Sequence, residues 1–166
     1  DHSPELALPT SAAYCVIGST DPITLAQLSH LRDTFPGLAD VRAPNGEAGA
    51  YDGPLSRLTL LQATPGSSHE SGKAVATALG ESLKQLSPPP DALLVLSGGA
   101  TAQVILGILG VEVLELVGEV LPGLPIALAG RLTVVTKSGG FGDPDTLSRL
   151  LRPYFSVGSS DHSHVG

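Results

Sequence analysis

Three short apolar runs, each breaking into a turn of glycine and serine, constrain this chain more than any other feature. Tyr14-Cys15-Val16-Ile17 leads into Gly18-Ser19-Thr20, and Ala92-Leu93-Leu94-Val95-Leu96 leads into Ser97-Gly98-Gly99-Ala100-Thr101. The run 131–136 leads into Lys137-Ser138-Gly139-Gly140-Phe141-Gly142-Asp143. Runs apolar along their whole length are strands buried on both faces, which is the signature of a parallel sheet covered by helices. The intervening segments read as helices. Residues 23–34 carry an apolar stripe of Leu25, Leu28 and Leu31, with Asp21 ahead of Pro22 as N-cap and first helical residue. A strand over 58–63 is followed by a helix over 71–86, stopped by Ser87-Pro88-Pro89-Pro90. Helices are also expected from 100 to 109, ended by Gly110, and from the Pro144 region to 151.

The expected fold is α/β: a layered sheet, mostly parallel, with helices on both faces, in a single domain. The segment 36–54, rich in glycine and proline and poor in large apolar residues, reads as irregular or as a peripheral insertion. Residues 111–117 alternate like a less buried strand, Gly118-Glu119-Val120-Leu121-Pro122-Gly123 reads as the turn after it, and 132–136 as the last core strand. The organisation expected is a leader or linker over 1–11, one folded domain over 12–155 and a disordered Ser/His-rich tail over 156–166. The chain lacks methionine and begins Asp1-His2-Ser3-Pro4, so a piece of a longer protein is expected.

In an open α/β sheet ligands sit outside the carboxyl ends of the strands, where all three turns fall. Adjacent glycines let backbone N–H groups approach an anion, Ser138 and Ser97 add hydroxyls, and Lys137 adds charge; this is phosphate-binding chemistry. Taken singly, Gly18-Ser19-Thr20 is also what a capped strand-to-helix turn needs. Neither longer turn has the spacing of a Walker A loop or of Gly-x-Gly-x-x-Gly, which removes the generic P-loop and dinucleotide readings. Glu119 could reach a ligand or the Mg2+ that accompanies nucleotide phosphates.

Composition excludes other classes. A net charge of −7 and 4% aromatic residues argue against nucleic-acid binding, while leaving a small phosphorylated ligand compatible. No apolar stretch approaches the roughly 20 residues of a membrane span, and no signal sequence opens the chain. The lone Cys15 offers neither a disulfide framework nor a cysteine metal site, which points to a reducing, cytoplasmic setting. His2, His30, His69, His162 and His164 lack zinc-ligand spacing and read as solvated, so no metal site is expected from protein ligands. No Ser-His-Asp set can be assembled, and the catalytic residues stay unassigned.

The ordered set Val16-Ile17-Gly18-Ser19 with Thr24 and Gln27, Ser97-Gly98-Gly99-Ala100-Thr101-Ala102, Gly118-Glu119 with Pro122-Gly123, and Lys137-Ser138-Gly139-Gly140-Phe141-Gly142 resembles the carboxyl-terminal nucleotide-binding domain of the four-carbon acid sugar kinases. The resemblance spans roughly residues 14–151. It implies a two-domain kinase that transfers phosphate from ATP to acids such as threonate and erythronate, with an amino-terminal domain holding the sugar acid. It also implies ATP or ADP with Mg2+ as cofactors, a nucleotide and a sugar acid as partners, and an isolated piece that is inactive. Self-association stays open. Ser19 becomes a nucleotide contact, Gly98, Gly99, Ala100 and Thr101 lie along the phosphates, and Gly139 is a contact in the last turn. Two positions depart from the family pattern: Ala100 stands where an acidic residue is usual, and Thr20-Asp21 where small Cys or Ser residues are usual. The first departure motivates the alternative of a non-catalytic nucleotide- or phosphometabolite-binding module.

Overall fold

A computed structural model describes residues 11–54 and 56–155. The elements in chain order are β1 (Ala13–Ile17), α1 (Pro22–Thr34), β2 (Ala39–Pro44), β3 (Leu58–Thr64), α2 (Gly72–Leu86), β4 (Leu93–Ser97), α3 (Gly99–Ile108), β5 (Glu115–Leu121), β6 (Leu124–Ala129), β7 (Leu132–Lys137) and α4 (Thr146–Leu151). The expected leader over 1–11, apart from Ser11, and the expected tail over 156–166 lie outside the described residues.

One seven-stranded sheet runs β2-β3-β1-β4-β7-β6-β5. The strands from β2 to β7 pair in parallel, and β6 and β5 close the far side antiparallel. Alternation along the strands sorts side chains into two cores. Ala13, Cys15 and Ile17 of β1 join Leu28 and Leu31 of α1 and Leu147, Leu150 and Leu151 of α4 on one face. Val16, Leu94 and Leu96 join Leu79 and Leu83 of α2 and Ala102, Ile105 and Leu106 of α3 on the other. Helices therefore cover both faces, and β4 is buried along its whole length. Each fully buried leucine here contributes about 1.5–3 kcal/mol of transfer free energy.

Five details differ from the expectation. Residues 36–54 contain a strand, β2, whose inward residues Ala39, Val41 and Ala43 are small and alternate with Asp40, Arg42 and Pro44. The strand expected over 111–117 begins at Glu115 and runs to Leu121, so Gly118-Glu119 lies within it rather than in a turn. Register shifts around Gly118, whose φ is +146°, let the strand absorb the glycine as a bulge. The tight turn is Pro122-Gly123, and β6 follows as a further strand. On α1 the buried stripe is Thr24, Gln27, Leu28 and Leu31, while Leu25 is exposed. His30, read as solvated, instead shares a 2.8 Å hydrogen bond between its Nδ1 and Ser148 Oγ, joining α1 to α4.

The N-cap expected for the first helix forms, and α2 has one as well. Asp21 caps α1, its carboxylate accepting from the Ile23 amide at 2.8 Å, with Pro22 in the first turn. Ser71 caps α2 in the same way through the Ala74 amide.

Candidate functional site

Parallel register sets the site. Ile17, Ser97 and Lys137 are paired side by side across β1, β4 and β7, so Gly18, Gly98 and Ser138 leave the sheet together at its carboxyl edge. The chain after β1 turns into α1 on one face, and the chain after β4 into α3 on the other. Adjacent strands whose connections part to opposite faces leave a crevice at their carboxyl ends, the position where α/β sheets hold ligands.

The three turns interlock. The Gly98 amide donates to the Lys137 carbonyl at 2.8 Å. Gly139 backs onto Ser19 so closely that a Cβ there would lie 3.1 Å from Ser19 Oγ, and one on Gly140 would lie 3.4 Å from Asp21 Oδ2. A Cβ on Gly18 would come 3.1 Å from Thr101 Oγ1. Gly98 adopts φ +99°, a left-handed conformation that glycine takes without strain. Ser19 Oγ accepts from the Asp21 amide at 3.0 Å, shaping the first turn.

The loop after β7 is held through its carbonyls. Lys137, only 1% exposed, donates from Nζ to the carbonyls of Ser138 at 2.8 Å, Gly139 at 3.0 Å and Phe141 at 3.1 Å. Burial pushes its ammonium below the usual lysine range, and the Asp21 carboxylate pulls it partly back. From α1, Thr24 Oγ1 donates to the Gly139 carbonyl, and Gln27 Nε2 donates to Phe141 O at 2.9 Å and Asp143 O at 3.0 Å. The ring of Phe141 lies against Gly123, so the β5–β6 turn braces this loop from outside. Among the described residues, the amides of Ser138, Gly139 and Gly140 donate to none of these groups.

Two further features suit an anion. Helix α3 opens at Gly98 without a side-chain cap, so its first-turn amides remain available at the positive end of the helix dipole. Ser97 is fully buried, and its Oγ has no hydrogen-bond partner among the described residues. An orphaned buried hydroxyl costs about 1–3 kcal/mol, so one at this edge is suited to a ligand partner.

The expected residues thus divide. Ser19, Ser97, Gly98, Thr101, Lys137, Gly139 and Gly140 come together at the carboxyl edge, and Gly99 and Ala100 form the first turn of α3 beside them. Ser138 lies exposed in the loop. Glu119 sits apart, exposed on the outermost strand opposite Pro125. Lys137 faces its own loop's carbonyls with all three protons engaged. The sequence reading of the residues gave Thr24 and Gln27 no part, although their i, i+3, i+4, i+7 spacing with Leu28 and Leu31 places all four on one face.

Comparison with known proteins gives a consistent picture. A family model described as the nucleotide-binding C-terminal domain matches residues 47–147. A D-threonate kinase of Bordetella bronchiseptica is 35% identical over 140 residues, 78% of this chain and 32% of that protein. A 3-oxo-tetronate kinase of Pseudomonas savastanoi pv. phaseolicola is 34% identical over 85 residues, 49% of this chain and 20% of that one. The chain therefore spans about a third or less of the curated relatives it matches. In fold it is similar to a crystal structure of a Bordetella bronchiseptica domain of unknown function, a domain-swapped dimer with bound citrate. That match has a TM-score of 0.68 and 23% identity, covering 86% of this chain and 40% of the other.

Proposed function

Since the chain belongs to the carboxyl-terminal nucleotide-binding domain family of the four-carbon acid sugar kinases, we propose that it forms the ATP-binding part of such a kinase, acting on a threonate- or erythronate-like acid. The observation that carries this reading is the interlocked set of turns after β1, β4 and β7, with loop carbonyls drawn onto Lys137 and the Gly139 and Gly140 amides without a partner among the described residues. The residues fit a nucleotide: a turn that a Cβ at Gly139 would crowd, an orphaned Ser97 hydroxyl and an uncapped helix start. Ser19, the first-turn amides of Gly99, Ala100 and Thr101, and the amides of Ser138, Gly139 and Gly140 would hold the phosphates.

ATP supplies the phosphoryl group; the chain's residues bind and orient it. Mg2+ would enter with the nucleotide, held by phosphate oxygens and water with one or two carboxylates at most. The acceptor and its base would come from an amino-terminal substrate domain of the whole kinase, and the setting would be cytoplasmic. In this reading Glu119 contributes to the nucleotide site only through its strand, whose turn braces Phe141.

Calorimetric titration of the chain with ADP and ATP in the presence of Mg2+ tests the proposal. Binding is expected for the native chain and should weaken by about tenfold or more, roughly 1.4 kcal/mol, in Gly139→Val. A native chain that binds neither nucleotide contradicts it.

One observation favours a second reading, a binding module without catalysis. The first turn of α3 holds no acidic residue, Ala100 standing exposed there. Assaying the full-length protein on a panel of four-carbon sugar acids separates the two. Turnover supports the kinase, and nucleotide binding without turnover of any acid supports the module.

A further inference from the structure

The glycine turn after β7 contains a lysine that looks, by composition, like a phosphate ligand. Its surroundings say otherwise. The Nζ of Lys137 is buried and within 3.1 Å of three carbonyls of its own loop, those of Ser138, Gly139 and Phe141. An ammonium has three protons, and three acceptors use them all. A peptide unit whose carbonyl turns inward must turn its N–H outward, because the two point in opposite directions across a planar trans bond.

From this geometry we infer that Lys137 is a positioning residue: it folds the 138–143 loop so that the amides of Gly139 and Gly140 point outward as an anion-binding nest, and it does not touch the phosphates itself. The inference rests on the proposed nucleotide site and assigns the division of labour within it. Thr24 and Gln27 support the same arrangement from α1, sharing the Gly139 and Phe141 carbonyls with Lys137. The Ser138 carbonyl likewise has a second donor in the Phe141 amide at 3.1 Å. Every carbonyl that Lys137 holds therefore keeps one partner when the lysine is removed. Loss of Lys137 should loosen the loop without unfolding the sheet.

The nest concentrates partial positive charge from several N–H dipoles on one concave surface. A lysine placed at the rear thus serves an anion through the shape it gives the loop, with every proton on a carbonyl.

The test compares the native chain with Lys137→Met and Lys137→Arg. Two readouts are taken: the ADP–Mg2+ dissociation constant, and the hydrogen exchange of the Phe141 amide, which closes the turn onto Ser138. The Met variant should keep a cooperative unfolding transition. Its Phe141 amide should exchange about tenfold faster or more without ligand, and its ADP affinity should fall by a similar factor, roughly 1.4 kcal/mol. Arg keeps the charge on a planar fork that cannot converge on three carbonyls, so it should behave like Met. The inference is overturned if affinity falls while Phe141 exchange stays native, or if Arg restores affinity, since either outcome makes Lys137 a direct charge contact. It is also overturned if neither readout changes. Should the native chain bind no ADP, the nucleotide reading fails, and the exchange comparison alone still decides whether Lys137 fixes the loop.

Discussion

The central strand β4 and the outer strand β5 are opposites in one sheet. Every residue of β4 is buried, between helices on both faces and strands on both sides. Most of β5 is exposed, Leu116 by 70%, and it pairs on one side only. The centre is over-determined by packing, so its carboxyl end can carry features that packing alone would not favour: an orphaned hydroxyl at Ser97, a left-handed Gly98 and, beside it, the buried charge of Lys137. The edge contributes a brace, through Gly123 against Phe141, and little else to the site. Strain and unpaired polar groups persist where the surrounding structure is tight enough to hold them.

The largest expected effect tests the packing side of that contrast. Leu94→Ala should cost about 2–5 kcal/mol in denaturant unfolding, the usual range for a buried leucine truncated in a core, whereas Leu116→Ala on β5 should stay within about 0.5 kcal/mol. Comparable losses at both positions would mean that β5 is covered in solution and that the contrast is wrong.

Next comes the link between α1 and the glycine loop. Gln27→Leu removes both hydrogen bonds to the Phe141 and Asp143 carbonyls, leaving the first to Lys137 alone and the second without this donor, and should destabilise the chain by about 1–3 kcal/mol. Thermal unfolding measures this loss, and ADP titration of the same variant should show weaker binding.

A smaller effect is expected at Gly98. Gly98→Ala forces a side chain into φ +99° and should cost about 1–2 kcal/mol, with nucleotide affinity falling more than stability does. Equal sensitivity of the two would argue that the turn is structural only.

The smallest concerns the opposite edge. Burial works against the charge of Asp40 on β2, but hydrogen bonds and charges from Arg32 and Arg42 outweigh it and hold its carboxyl below the ordinary value. A depressed folded pKa means that the stabilisation is present above the unfolded pKa, about 3.9, and is lost as pH falls through the folded value. Asp40→Asn should therefore flatten the acid limb of a stability–pH curve slightly, leaving nucleotide affinity unchanged. An unchanged acid limb would remove the pair from the stability of this edge.

The same contrast explains what the sequence disclosed. The runs that became β1, β4 and β7 were legible because burial on both faces demands uninterrupted apolar residues, and the turns after them because glycine and serine have few other uses there. Strand β2 was not, because its inward residues are small and glycine and proline surround it. Strand β6 carries Pro125, which argues against a strand unless its missing N–H faces no partner. Gly118 reads as a turn but sits in a bulge. At the site, Lys137 and the glycines were visible as chemistry, but the direction of the ammonium was not, since only the fold sets it against its own loop carbonyls. Thr24 and Gln27 carried a usable signal in their spacing with Leu28 and Leu31.

The most direct test of the site follows backbone amide resonances of the 15N-labelled chain while ADP and Mg2+ are added. A site at the carboxyl edge of β1, β4 and β7 predicts shifts concentrated at Ser19, Gly98 to Thr101 and Ser138 to Gly140, with the resonances of β5 nearly still. Saturable shifts that cluster elsewhere, or none at saturating ADP, would contradict it.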